Sequence, residues 1–502
     1  MIDLAPHHLE TVRRILGEHV PDCEVRAFGS RAKWEGQDYS DLDLAVVCED
    51  EANGPAVERL KEAFEESDLP IRVDVLDWHA IAEDFRKAIE PDCVVVQPAS
   101  EPATWREMTV GEFAAFSYGK SLPASRRTNS GQVPVYGSNG ITGYHDSSLT
   151  DGPTVIIGRK GSAGAVHYSS VSCWPIDTTF FVTGRDAELV RFKYYALSAL
   201  GLETMNSDSA VPGLNRDAAH AQVMRIPDEP EQRAIAGVLG ALDDKIELNR
   251  RMSETLEEMA RALFRSWFVD FDPVRAKAEG RPSGLPPGLD ALFPDRLADS
   301  SIGPIPHGWT VESHRDIVYQ IRDTVDPRLC PSERFTYFSI PAFDYNRTPL
   351  QEYGRSIKSQ KLVVQQDSVL VSRLNPEIER VWLADVDNYQ RAICSTEFLV
   401  IRPTPPFGKS YMYCLARSKT FQDRLKSLVT GTSKSHQRVS ATSILSTLAL
   451  IPPTPIAIAF DCITESLLDR SLACRREADQ LAATRNMFLP KLVHGKILVS
   501  AP

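Results

Sequence analysis

The sequence predicts an α+β multidomain chain. A small N-terminal α/β domain comes first. Two mixed α/β domains follow, separated by long helices that pair as an antiparallel coiled coil. Three observations carry this prediction. The first hundred residues alternate short strands with helical patterns around two closely spaced aspartates. A strand-rich unit recurs at an offset of about 220 residues. Each copy then runs into an apolar stripe at steps of three or four, sustained for about four heptads. The expected segments are 1–99 for the first domain, 102–228 for the first strand-rich domain and 229–270 for its helix. A linker at 271–305, a second strand-rich domain at 306–453 and a second helix at 454–499 complete the chain.

The bulk properties fit this division. The chain of 502 residues has room for roughly three or four domains. Its 42% apolar and 25% charged content is that of ordinary globular protein. No stretch approaches the ~18 uncharged apolar residues of a membrane span. The opening "MIDLAPHHLE" lacks the basic-then-apolar order of a secretion signal. Nine cysteines stand singly, with no C-x-x-C pair. That argues against structural zinc and disulfides, and for the reducing cytoplasm. The net charge of −12 is unusual for a nucleic-acid binder, but it is unevenly spread. Residues 1–100 hold 10 Lys and Arg against 23 Asp and Glu, and the rest hold 46 against 45. Beyond the first domain, local basic patches are therefore open to use.

In the first domain, "EVRAFGS" reads as a strand ending in a turn, "SDLDLAVVC" as a second strand and "IRVDVLDW" as a third. Helical patterns flank them at 6–18 and 55–67. Asp41 and Asp43 alternate with Leu42 and Leu44, so both aspartates share one face of the strand. Asp74, between Val73 and Val75, can face the same way. Three carboxylates converging on a strand face are costly unless something compensates them. A divalent cation does so. Mg²⁺ takes hard oxygen ligands and fills its remaining positions with water and phosphate oxygens. Gly29 permits close backbone approach, and Ser30 can hold a terminal phosphate.

The remaining four hundred residues repeat themselves. "MRIPDEPEQRAIAGVLGALDDKIELNRRMSETLEEMARALFRSWF" and "LALIPPTPIAIAFDCITESLLDRSLACRREADQLAATRNMFLPKL" each place Ile-Pro before a long helical pattern, at an offset of 225. Upstream, "PIDTTFFV" matches "CSTEFLV" at offset 218, and "IIGRKGSAG" resembles "LVSRLNPE" at offset 214. The first stripe is Ile235, Val238, Leu242, Ile246, Asn249, Met252, Leu256, Met259, Leu263 and Trp267. The second is Ile463, Leu467, Ser471, Cys474, Ala478, Leu481, Arg485, Phe488 and Leu492. At ~1.5 Å per residue, such helices are rods of roughly 60 Å. Asp228 with Glu231 offers a capping box for the first. Asn249, Ser471 and Arg485 are polar seam positions able to fix register. The segment "FVDFDPVRAKAEGRPSGLPPGLDALFPDRLADSSIGPIPHGW" is rich in Pro and Gly and reads as a linker.

Two resemblances follow from these motifs. The G-S…D-x-D pattern with a third acid resembles the minimal nucleotidyltransferase family of the polymerase-β-like fold, over about residues 8–98. The resemblance implies that Gly29 and Ser30 bind a triphosphate, and that Asp41, Asp43 and Asp74 bind metal and are catalytic. It implies Mg²⁺ and an NTP, with ATP the expected one. One departure is Trp34, where the family often has Gly. The pieces "PEQRAIAGVLGALDDKIELNRR", "SWFVDFDPVRAKAEG", "SSIGPIPHGW", "VPVYGSNGITGYHD", "VIIGRKGSAG" and "LPKLVHGKI" resemble the specificity subunit of type I restriction–modification systems, over residues 102–500. That implies a DNA-reading scaffold that is not itself a catalyst. Each strand-rich domain would be a target-recognition domain for one half of a bipartite double-stranded site. Two methyltransferase subunits and a restriction–translocase subunit would dock on it, and the half-sites would lie about 34–36 Å apart. Polar loop residues are the candidate DNA contacts: Ser138, Asn139, Arg159, Lys160 and Arg216 in the first domain, and Arg373, Asn375, Lys434, His436, Gln437 and Arg438 in the second. Three functions compete on this reading. The first is a specificity subunit with an active nucleotidyltransferase, acting in phage defence. The second is the same scaffold with an inactive first domain, and the third is a template-independent enzyme that uses its C-terminal region to select substrate. The complete set of acids favours the first over the second. The lack of an acceptor-binding helical domain after residue 98 disfavours the third.

Overall fold

The computed structural model describes residues 2–21, 23–34, 36–37, 40–48, 54–98, 105–128, 131–205, 213–386, 391–429, 437–497 and 499. Two compact units account for it: residues 1–242 with 484–502, and residues 243–483.

The first unit begins with a four-stranded sheet. Its strands are β1 (Glu24–Phe28), β2 (Leu42–Val47), β3 (Val73–Asp77) and β4 (Val94–Gln97), in the order β3-β2-β1-β4. Its helices are α1 (Pro6–His19), α2 (Gly29–Ala32), α3 (Gly54–Glu65) and α4 (Glu83–Ile89). Helix α1 starts on a proline, which suits its first turn, and buries Val12, Ile15 and Leu16. Val57, Leu60 and Phe64 of α3 keep the same three-to-four spacing, and both helices cover one face of the sheet with Leu42, Leu44, Val46 and Val75. Alternation sends Ala45 and Val47 to the other face, against Phe28, Trp78 and Ile89. The expected turn at Gly29-Ser30 is one turn of helix, α2.

One expectation is overturned here. Cys23 and Cys48 form a disulfide, with their Cα atoms 4.6 Å apart. The antiparallel register of β1 on β2 places Glu24 opposite Val47, so the residues just outside that pair meet. A separation of 25 residues hides the pair from any spacing rule.

The repeat is topological as well as sequential. In the first strand-rich domain a sheet runs Val166–Ser169, Thr154–Gly158, Thr179–Thr183, Ser117–Tyr118. In the second, the same order holds for Val381–Leu383, Val369–Ser372, Phe398–Pro403 and Val318–Ile321. Each domain opens with a strand that pairs with the strand preceding the long helix: Arg106–Thr109 with Val223–Ile226, and Thr310–Ser313 with Leu448–Ile451. Each opening strand ends in a capping box, Thr109 with Glu112 and Ser313 with Asp316.

The long helices are Glu229–Phe268 and Thr454–Val493. Among the described residues, no helix is long and apolar enough to cross a membrane. Within the second unit they run antiparallel, since Lys245 pairs with Glu477 and Ser253 with Ser471. The seam differs from the apolar stripes. Val238, Met259 and Ile463 are exposed, while Ser253, Glu257, Thr464 and Ser471 are buried. Ile246, Leu468, Cys474 and Ala478 are buried as well, and Ser253 and Glu257 are the seam residues that an apolar count skips. Glu257 is 5% exposed. It accepts from Arg475 of the second helix and Arg417 of the second strand-rich domain, each at 2.5 Å, with Arg347 at 3.8 Å. Ser471 donates to the Ser253 carbonyl at 3.2 Å, which fixes register. Asn249 is fully buried and neither polar atom of its amide has a partner among the described residues. Of the other polar seam positions, Arg485 bonds its neighbour Asn486.

The Pro/Gly-rich segment after the first long helix is packed, contrary to its reading as a linker. It holds helices Asp272–Ala278 and Pro287–Asp290. Phe271, Val274, Phe293 and Ile305 join Trp267, Phe268 and Trp309 in the core of the second unit. Turn residues dominate its composition, but enough apolar side chains are interspersed to be buried.

Removing a partner from a buried ion network strands the remaining charges, at a cost of about 3–5 kcal/mol. Glu257→Ala is therefore expected to lower the urea stability of residues 243–483 by about that much, followed by hydrogen exchange along the two long helices. Asn249→Leu is expected to raise it by about 1 kcal/mol, because two unsatisfied polar groups leave the interior. Wild-type exchange rates in Glu257→Ala would strip the network of an energetic role.

Candidate functional site

The first domain gathers its acids on the sheet face that carries Ala45 and Trp78. Asp43 of β2 stands directly opposite Asp74 of β3 in the parallel register. Asp41 lies one residue before β2. Asp43 is partly buried, and its carboxyl is held above the usual range by burial, then by the charges of Asp74 and Asp41. Gly29 explains how close the turn comes. Its φ is +75°, and a Cβ there would lie 2.3 Å from Oδ2 of Asp43. Only glycine lets the backbone lie on that carboxylate. Ser30 follows in the first turn of α2.

The three acids are less tightly gathered than the alternation implies. Asp74 Oδ1 accepts from Arg72 Nε at 2.9 Å. Among the described residues, no three His, Cys, Asp or Glu side chains are close enough together to hold a metal. The donor chemistry nonetheless fits a hard divalent cation. The set is all oxygen, and mutual repulsion already raises Asp43. When bound, such an ion neutralises the carboxylates and the phosphate oxygens beside them.

Arg31 plays a part that the motif does not reveal. Its guanidinium is 6% exposed. It donates to the backbone carbonyls of Asp3 and Ser40, each at 2.8 Å, and of Gln37 at 3.2 Å. These bonds shape the loop that joins Ser30 to Asp41. A buried arginine bonded to carbonyls leaves no trace in a spacing pattern. Trp34, in the same loop, is 64% exposed and has a φ of +61°. That conformation suits a glycine, and it strains a tryptophan.

The candidate contacts of the strand-rich domains fall at equivalent places. Arg159 follows the strand Thr154–Gly158, and Arg373 follows Val369–Ser372. The Arg159 amide donates to Thr178 O and its carbonyl accepts from Leu214 N. The Arg373 amide donates to Glu397 O and its carbonyl accepts from Val439 N. Lys160 bridges Gly213 as Leu374 bridges Arg438. Each domain thus brings two distant loops together, one holding Arg159, Lys160 and Arg216, the other Arg373, Asn375, Gln437 and Arg438. Asn375 has a φ of +48°, and its amide donates to Gln437 O at 2.8 Å. Arg438 pairs with Glu397 at 2.7 Å. Asn139 is exposed beside Ser162. Ser138 is buried and donates to Thr178 O at 2.6 Å, so it supports the loop from beneath. Lys434 and His436 lie outside the described residues.

Known proteins match two stretches of the chain. Residues 14–98 match a family model described as polymerase beta, nucleotidyltransferase. Residues 102–258 match the type I restriction modification DNA specificity domain. A Haemophilus influenzae protein named probable protein adenylyltransferase MntA is 51% identical over 96 residues, which are 19% of this chain and 84% of that protein. The type I restriction enzyme HindI specificity subunit of the same organism is 26% identical over 380 residues, covering 64% of this chain and 81% of that subunit. The crystal structure of the type I restriction–modification S subunit from M. genitalium shares the fold, with a TM-score of 0.51, 14% identity, and coverage of 79% of this chain and 98% of that one.

Two substitutions in the first domain should raise its stability. Because folding lifts the Asp43 pKa, its ionised form opposes folding as pH rises through the lifted value. Asp43→Asn is expected to stabilise this domain at pH 7, with the gain fading on acidification and gone below the ordinary carboxylate pKa of about 3.9. Trp34→Gly is expected to add up to about 1 kcal/mol by releasing the left-handed backbone. Hydrogen exchange of residues 24–47 in the full chain reads both. A pH-independent gain in Asp43→Asn would contradict the first.

Proposed function

Because the chain belongs to the polymerase-β-type nucleotidyltransferases over its first hundred residues and to the type I restriction–modification specificity subunits over the rest, we propose that it reads a bipartite DNA site and carries a nucleotide-transfer activity on the same scaffold. The specificity region belongs in a complex with methyltransferase and restriction subunits. Two methyltransferase copies would match the two strand-rich domains. Each domain reads one half-site, and the doubled loop pair around Arg159 and Arg373 is the observation that supports this most. The DNA contacts are Asn139, Arg159, Lys160 and Arg216 on one side. On the other they are Arg373, Asn375, Gln437 and Arg438, with Lys434 and His436, which lie outside the described residues, as further candidates. Arginine suits guanine, Asn and Gln suit adenine, and Lys suits phosphate.

A nucleotidyltransferase takes a nucleotide substrate and uses metal; here the nucleotide is ATP and the metal Mg²⁺. Asp41, Asp43 and Asp74 hold the ion, and Gly29 and Ser30 hold the triphosphate. The α-phosphorus is then open to in-line attack by a protein or RNA hydroxyl, with pyrophosphate leaving. A complete set of acids favours this over a domain retained only for binding.

Labelled ATP, GTP, CTP and UTP, incubated with the complex and cell extract, test the transfer. Wild-type protein should label an acceptor from ATP. Asp43→Asn should lose that labelling at least 100-fold, on the order expected for electrostatic stabilisation at the reacting centre, and should bind DNA as before. Equal labelling by both would assign the domain to binding alone. For the scaffold, replacing residues 313–448 by those of a homologous subunit should change one half-site only, read by sequencing the methylated positions. A change in both halves would end the two-domain reading.

A further inference from the structure

We infer that Tyr118 is a positioning residue of the first recognition domain, holding the guanidiniums of Arg159 and Arg216 so that they read guanine edges in one half-site. The inference rests on the DNA-specificity reading above and assigns it a chemistry. Tyr118 sits on the edge strand Ser117–Tyr118, with its backbone paired to Phe180. Its ring lies edge-on to the buried Phe180, with centroids 5.1 Å apart. Phe180 in turn stacks on Phe116 at 5.7 Å. The ring is thus anchored from below, yet Tyr118 remains 49% exposed.

Two cations share that ring. The Arg159 guanidinium carbon lies 5.1 Å from its centroid and that of Arg216 lies 5.2 Å away. Both are within the ~6 Å reach of a cation–π contact. Each arginine has a further anchor as well. Arg159 donates from Nη1 to Asp177 O at 3.2 Å. Arg216 begins the short helix Arg216–His220, and His220 Nε2 accepts from Phe116 N at 3.0 Å. Arg216 Nε also meets the well-exposed Asp217 at 3.3 Å. Two like charges brought to one exposed ring favour an electron-rich partner.

Orientation decides which partner. A phosphate accepts from many directions, and a flexible lysine serves it well. The O6 and N7 of guanine need two parallel N–H groups at a set angle. A guanidinium held about 5 Å from a ring and by a second bond has fewer orientations open to it, which is what a two-pronged contact needs and a phosphate contact does not. In the second domain the equivalent arginines are held differently, Arg373 by the Thr396 carbonyl and Arg438 by Glu397 at 2.7 Å. The device therefore belongs to the first half-site.

The test is selection from a random duplex library by the full chain in complex with its methyltransferase subunit, followed by sequencing. Arg159→Lys and Arg216→Lys keep the charge and lose the fork. Each should relax a guanine position in one half-site by about 10- to 100-fold, the discrimination of one bidentate contact. Tyr118→Leu should relax the same positions, and Tyr118→Phe should leave the motif intact. The unchanged second half-site reports that each variant is folded. If both lysine variants select the wild-type motif and only the salt dependence falls, the arginines meet phosphate and the inference is overturned. Full discrimination in Tyr118→Leu would also overturn it. If the wild-type complex selects no motif at all, the DNA-specificity reading itself fails.

Discussion

A single buried carboxylate organises the second unit. Glu257 projects from the first long helix and meets Arg475 of the second helix, Arg417 of the strand-rich domain and Arg347 of a nearby loop. Helix pairing and the seating of the recognition domain on the helices therefore share one charge. Arg417 also binds Glu379 at 2.6 Å, and its hydroxyl neighbour Tyr413 is pushed up to about 12 by burial and by Glu257. A hydrophobic seam would hold the helices together through many interchangeable contacts. An ion network is directional, so it ties one register to one placement of the domain, with Ser253 and Ser471 alongside it. That directionality fixes where the strand-rich domain sits on the helices.

The two recognition domains illustrate a division of labour between frame and loops. One four-stranded sheet in each has the same strand order, their opening strands carry matching capping boxes, and Arg159 and Arg373 make equivalent backbone bonds. On that common frame the exposed chemistry differs. One domain brings two arginines to the Tyr118 ring, while the other pairs Arg438 with Glu397. Backbone bonds keep the loops together whatever the side chains are, so the loops can change their specificity without rebuilding the sheet.

The first domain shows the opposite economy. Asp43, Asp74 and Asp41 share one sheet face, and burial, then the charges of Asp74 and Asp41, lifts the Asp43 pKa. Gly29 lies against the Asp43 carboxylate where no side chain could fit. Such an arrangement opposes folding at neutral pH, and a perturbed carboxylate of this kind is what a functional site displays.

Much of this was legible in the residues. Period-two alternation set the faces of Asp43 and Leu44, because a strand leaves no other choice. The repeat and the three-to-four spacing announced two strand-rich domains and two long helices, because each copy carries the same local propensities. The acids and Gly29-Ser30 stood out because that chemistry needs those residue types close in sequence. Contacts between polar residues far apart in the chain were not legible. Glu257 and Ser253 sit in the seam, Arg31 is buried under the nucleotide loop, and Cys23 reaches Cys48. A Pro/Gly-rich segment expected to link domains is instead part of a core. Tyr118 gains its two arginines from loops some forty and a hundred residues away. By itself the sequence determined which elements form and which chemistry they can carry, since periodicity and motif spacing are local. Only the tertiary structure decided which buried charges meet and which exposed side chains share a surface, since burial and pairing depend on neighbours that the chain supplies from a distance.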